Sequence, residues 1–135
     1  MKTPIRFQAA VPQFTVPDVV KTAEYWRDVL GFQVTGYWEG HHVTHEADPA
    51  PVFGIVRRDE VEVFFNRADR PGGGTGRAQF AYDAYLRVTG VDALAAELRA
   101  RGADILDGPV TRIYGQRELV VRDCNGLVLA FGEET

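Results

Sequence analysis

The chain has 135 residues, room for one compact domain and too few for two ordinary ones. Hydrophobic residues make up 45% and charged residues 25%, which excludes a disordered tail, and no apolar run approaches the ~20 residues of a membrane span. Lys and Arg number 15 against 19 Asp and Glu, a net charge of −4, so nucleic acid, which needs a basic surface, is not the expected partner. Cys124 is the single cysteine, so the chain has no internal disulfide and no cysteine-based metal cluster. The opening residues, Met1 to Arg6, lack the apolar stretch of a secretory signal, and a reducing cytoplasmic setting is expected.

In chain order, alternation predicts a first strand over residues 10–16. A helix follows from Asp18, its N-cap, with Val19, Ala23, Trp26 and Leu30 at helical spacing and Gly31 as its stop. Three strands come next, over 32–38, 52–57 and 61–66, the last two joined across Arg58-Asp59. The pattern then repeats. A strand over 80–88 leads into a helix capped by Asp92, with Val91, Leu94, Ala95 and Leu98 as its stripe and Gly102 as its stop. Strands over 103–110, 117–122 and 127–132 complete it. The turn Asp123-Cys124-Asn125-Gly126 joins the last two, with Asn-Gly supplying positive φ. The reading is one α+β domain over 1–135, two tandem βαβββ modules at about 9–66 and 80–133. A glycine-rich linker, 67–79, joins them; it lacks the Lys-Ser/Thr of a phosphate loop.

The period of two separates the strand faces. Val61, Val63 and Phe65 belong under a helix; Glu62, Phe64 and Asn66 share the other, mixed face. Phe14 and Val16 oppose Val11, Gln13 and Thr15. Ala84, Leu86 and Val88 oppose Asp83, Tyr85 and Arg87. Leu127, Leu129 and Phe131 oppose Val128 and Ala130. Two such sheets, curled together, form a cup lined by their mixed faces.

This order, with D-x6-Y-W-x3-L-G-F from Asp18 to Phe32 and R-D-x-N-G-x4-F from Arg122 to Phe131, resembles the vicinal oxygen chelate superfamily. That group contains glyoxalase I, extradiol dioxygenases, fosfomycin-resistance enzymes and bleomycin-resistance proteins. Within it the chain looks most like the bleomycin-resistance proteins, through Ala10-Val11-Pro12, Phe53-Gly54-Ile55-Val56-Arg57 and Tyr114-Gly115-Gln116-Arg117-Glu118 as well. In the enzymes of the group, four cup-facing side chains hold a divalent metal. The matching positions here are Val11, Glu62, Asp83 and Ala130, and valine and alanine ligate nothing. The resemblance therefore implies a binder with no catalytic residue, no metal and no cofactor. Its ligand is a small planar molecule stacked between aromatic rings, and the protein is a homodimer with a cleft at each subunit interface.

The candidate ligand-binding residues follow. Tyr37 or Trp38, Phe53 and Tyr114 match the stacking positions of the resistance proteins, and Phe64 is either core or cavity wall. Glu62 and Asp83 either receive a cationic part of the ligand or sit solvated at the rim beside Arg57 and Arg87. His41, His42 and His45 fall in a stretch, 39–51, that reads as a loop or a lid. The expected function is antibiotic resistance by sequestration. The rival reading is a metal-dependent enzyme of the same superfamily, a glyoxalase-like lyase, thiol transferase or dioxygenase.

Overall fold

Asp18 starts the first helix as its type predicts, its carboxylate accepting the backbone N–H of Lys21 at 2.9 Å. The computed structural model describes residues 3–38, 43–44, 51–68 and 81–135. Their order is β1 (Gln13–Val16), α1 (Val19–Asp28), β2 (Gln33–Trp38), β3 (Val43–Thr44), β4 (Phe53–Arg58), β5 (Val61–Arg67), β6 (Ala84–Arg87), α2 (Val91–Ala100), β7 (Asp104–Thr111), β8 (Gln116–Arg122) and β9 (Val128–Glu134). Two βαβββ modules are present. The first gains β3, a two-residue edge strand inside the segment expected to be a loop. The glycine-rich run lies outside the described residues.

One sheet runs β1-β5-β4-β2-β3 and the other β6-β9-β8-β7. In each, the first strand lies parallel to the last, and the remaining pairs are antiparallel. Strands β1 and β6 are shorter than the sequence pattern suggests. Pro12, which has no N–H, stops the ladder ahead of β1, though its carbonyl still accepts from Phe64. Before it, residues 3–10 are exposed, with Ile5 at 92% and Phe7 at 96%.

The helix-bearing faces meet in one core that draws on both modules. It holds Val19, Ala23, Trp26 and Phe65 from the first, and Val91, Leu98, Leu119 and Leu129 from the second. Trp26 is fully buried, edge-on to Phe32 and Phe65 at 5.0 and 5.3 Å. Burying each large apolar side chain stabilises the fold by about 1.5–3 kcal/mol. The turn of each module lies against the helix of the other. From the β8–β9 turn, Asp123 accepts the indole N–H of Trp26 at 3.0 Å, and Asn125 donates to Thr22. From the β4–β5 side, Arg58 grips Glu97 of α2 at 2.7 and 3.0 Å while also donating to the carbonyl of Leu30. The mixed face of each sheet therefore points away from the shared core.

Two local expectations are corrected. Asp92 does not cap α2. The N-cap is Gly90, and the carboxylate of Glu133 reaches over from β9 to accept the N–H groups of Gly90 and Val91 at 2.8 and 3.0 Å. Asp92 lies two residues past the cap and pairs with Arg117 instead. In the β8–β9 turn only Gly126 takes positive φ (83°), while Asn125 stays outside the left-handed region. The side chain of Asp123 replaces the tight two-residue turn, accepting from the backbone of both Asn125 and Leu127. Among the described residues no helix is long and apolar enough to cross a membrane.

Burial pushes the Asp123 carboxyl up, against its three donors, so its value to the fold lies in satisfying them. Asp123→Ala leaves the Trp26 indole and two backbone N–H groups without a partner. The expected loss is about 2–4 kcal/mol in urea unfolding at neutral pH. A midpoint unchanged from the parent would contradict the role assigned to this contact.

Candidate functional site

The first mixed face depends on a bulge. Val34 lies opposite Val56 and Gly36 opposite Ile55, so β2 carries one extra residue, Thr35, against β4. Beyond the bulge the parity of β2 is reversed. Tyr37 therefore turns into the core, where it is buried, and Trp38 turns to the mixed face opposite Phe53. Of the Tyr37 or Trp38 pair, the structure places Trp38 with the other candidates.

Trp38, Phe53 and Phe64 form a continuous row across β2, β4 and β5. Trp38 and Phe53 meet edge-on at 5.5 Å, and Phe53 and Phe64 at 5.3 Å. All three are half-buried. Glu62 lies on the same face, two residues from Phe64 on β5 and opposite Arg57. Such a row offers edges and partial faces to a flat molecule, each aromatic pair contributing about 0.5–1.5 kcal/mol beyond area burial.

The second mixed face is built differently. Asp83 does not look into open space: its carboxylate accepts the N–H of Val128 at 2.8 Å and helps fasten the start of β6 to β9. Tyr114, half exposed, donates its hydroxyl to Glu118 at 2.6 Å. Tyr85 donates to the other oxygen of that carboxylate at 2.7 Å, and Arg112 donates to it at 3.2 Å while holding Asp107 at 2.8 Å. Tyr82 stands beside Tyr85, ring centroids 6.1 Å apart. Glu118 itself is buried.

Gly132 makes this possible. It lies on β9 between Arg87 of β6 and Glu118 of β8. A Cβ at this position would collide with the Tyr85 hydroxyl, so only glycine lets the phenol cross β9 to reach Glu118. Glu118, Arg112 and Tyr82 were not among the residues singled out from sequence, and Tyr85 was placed on the mixed face without being selected. The available signal was the run Leu119-Val120-Val121. An apolar run marks a strand buried on both faces, so the charge that opens it is buried too.

Burial alone would push Glu118 up, but the donors Tyr114, Tyr85 and Arg112 outweigh it and hold the carboxyl below its ordinary range. The two phenols move the other way. Loss of water, then the bond to Glu118, pushes Tyr85 and Tyr114 each up to about 12.

The positions that match metal ligands in the resembling enzymes do not suit a divalent ion. Val11 and Ala130 have no donor atom, and the Asp83 carboxylate is turned to backbone. Among the described residues no three of His, Cys, Asp and Glu gather as a metal set would. His41, His42 and His45 lie outside the described residues. A cavity of about 570 Å3 opens on the helix side, between Leu30, Phe32, Leu86, Leu94 and Phe131. Arg87 reaches its wall from the second sheet, but Arg58 and Glu97 there are bound to each other, so the site is better sought on the mixed faces.

The phenols give a pH prediction. Their raised values mean that the folded state favours the neutral hydroxyls. The stability they contribute is present below the ordinary value of about 10 and is lost as pH climbs toward about 12. Phenolate absorbance of the folded protein should therefore gain two of its five tyrosines only near the upper end of that window. Glu118→Gln should bring those two ionisations down. Their appearance at the ordinary value in the parent would show that Tyr85 and Tyr114 do not bond Glu118 in solution.

Known structures share this architecture. TioX from Micromonospora sp. ML1 superimposes with a TM-score of 0.72 at 18% identity, covering 96% of this chain and 100% of its own. A glyoxalase-related enzyme from Clostridium phytofermentans gives 0.71 at 18% identity, covering 99% and 100%. The bleomycin-binding protein of Streptomyces verticillus, in complex with copper(II)-bleomycin, gives 0.67 at 25% identity, covering 95% and 97%. A sequence search of curated proteins found no match. The family profile described as Glyoxalase/Bleomycin resistance protein/Dioxygenase superfamily matches residues 8–131. By that match, and by two βαβββ modules with their mixed faces left free of the helices, the chain belongs to the glyoxalase/bleomycin resistance/dioxygenase superfamily.

Proposed function

We propose that the protein binds a small flat organic molecule and acts by holding it, as a sequestering protein of the bleomycin-resistance type. The observation that carries this reading is the row Trp38–Phe53–Phe64, three rings in contact on a sheet face that, among the described residues, no helix covers. Val11 and Ala130 support it, since a chain built for metal chemistry needs donors there. The likeness to a bleomycin-binding protein at 25% identity supports it as well. Glu62 stands at the margin of the row, where a carboxylate favours a ligand carrying positive charge.

Each mixed face is half of a cleft. The modules join through helices and turns, so a second copy supplies the opposing half in a homodimer. The edges of β1 and β6, unpaired among the described residues, and the exposed Ile5 and Phe7 support such an assembly. The expected setting is the cytoplasm.

A thermal-shift screen of planar antibiotics and planar cations tests the binding. Trp38→Ala, Phe53→Ala and Phe64→Ala should each weaken a flat ligand by about 1–3 kcal/mol, read by calorimetric titration. Undiminished binding in all three variants would remove the aromatic row from the site. Sedimentation at micromolar concentration tests the assembly: a dimer is expected, and a species of one chain alone would count against the shared cleft.

A further inference from the structure

We propose that Tyr82, Tyr85 and Tyr114, gathered around the buried carboxylate of Glu118, form a subsite for a quaternary or tertiary ammonium group. The inference rests on the reading of the mixed faces as ligand-binding surfaces and names the charge-bearing part of the ligand.

The two hydroxyls of Tyr85 and Tyr114 point their protons inward, onto opposite oxygens of one carboxylate. A phenol that donates to a carboxylate is polarised, and its ring and oxygen become richer in electrons. What this face offers a visitor is therefore hydroxyl lone pairs and aromatic surface, with the proton donors already committed. Tyr85 is 39% exposed and Tyr114 50%, so both rings are within reach. An electron-rich ring attracts a cation within about 6 Å of its centroid, and a group of such rings is the usual cradle for an alkylated ammonium.

Arg112 lies between Asp107 and Glu118 and bridges the two carboxylates. Arg112 is bound to both carboxylates and is poorly placed to receive an anion. Arg87 shows what the ring takes. Its guanidinium lies over the Tyr85 ring, 6.0 Å from the centroid, and among the described residues it makes no hydrogen bond or ion pair. The chain has laid one of its own cations on the ring a ligand would use. Gly132 completes the argument: a β9 position is kept without a side chain so that Tyr85 can lie across the strand. A ligand with a flat ring and an alkylammonium arm would match both mixed faces at once.

The test uses the full chain with carbon-13-labelled tyrosine, followed by aromatic NMR. The probes are choline, its uncharged isostere 3,3-dimethyl-1-butanol, and acetate. Tyr85→Phe and Tyr114→Phe assign the signals. Choline should shift the Tyr85 and Tyr114 ring signals saturably, with half-saturation ~10-fold below that of the isostere. Glu118→Gln should remove most of that advantage. Arg87→Gln, a surface change that leaves the core alone, should tighten choline binding by vacating the ring. Equal response to the isostere, larger ring shifts with acetate, or choline binding unchanged or weaker in Arg87→Gln would overturn the subsite. The indole signal of Trp38 separates this from the broader reading. Flat compounds that shift Trp38 while choline leaves the tyrosines unmoved would sink the ammonium subsite and leave the binding protein standing. Choline shifts at the tyrosines with no flat compound acting on Trp38 would do the reverse.

Discussion

The bond between the Trp26 indole and Asp123 decides which way the molecule faces. It joins the helix of the first module to the last turn of the second, inside the core, where neither partner has water as an alternative. Its counterpart, Arg58 on Glu97, is partly exposed and weaker, but it joins the first module's turn to the second helix in the same sense. With helix sides packed together, the remaining faces can only look outward. A helix of ten residues is about 15 Å long and covers only part of a sheet, so two modules sharing one core bury more than either could alone. The position of both candidate half-sites follows from this packing.

Much of the fold was legible because two periods carry it. The stripes of Val19, Ala23, Trp26 and of Val91, Ala95, Leu98 gave the helices, and alternation gave the strand faces of β1, β5, β6 and β9. Where the reading stopped short, the cause was an interaction distant in sequence or a break in the period. The bulge at Thr35 leaves no mark in the residues 32–38, which end in two adjacent aromatics that either parity could turn inward, and it alone chooses between Tyr37 and Trp38. The cap on α2 comes from Glu133, some forty residues away, so a local search settles on Asp92. Glu118 was hidden for the same reason. Arg112 and Tyr114 lie in the turn just ahead of β8, but Tyr85 comes from 33 residues away, and only laying β6, β9 and β8 side by side brings it onto Glu118.

The two mixed faces differ in how they treat charge. On the first, Glu62 lies at the margin of the aromatic row with Arg57 opposite, and Arg57 is engaged with the carbonyl of Asp59. On the second, the carboxylate is covered and what meets the surface is phenol. A buried carboxylate with three donors is held in place and held ionised, whereas a rim carboxylate is screened by water and salt. The first face thus presents rings in contact and the second a covered charge, although both derive from the same βαβββ plan.

The crossing of Tyr85 over Gly132 also bears on how β9 finds its place. The strand could in principle pair with β6 and β8 in several alignments, since Leu129 and Phe131 repeat the same apolar spacing. A slip by one residue would bring Phe131 or Glu133 under the phenol, and a slip by two would bring Ala130 or Glu134. Every one of these carries at least a methyl group where the hydroxyl must pass. The single bare position in β9 therefore acts as a key: the tyrosine closes onto Glu118 only when the strand is in its correct alignment, and assembly of the Tyr85–Glu118 cluster reports that the sheet has been laid down without error.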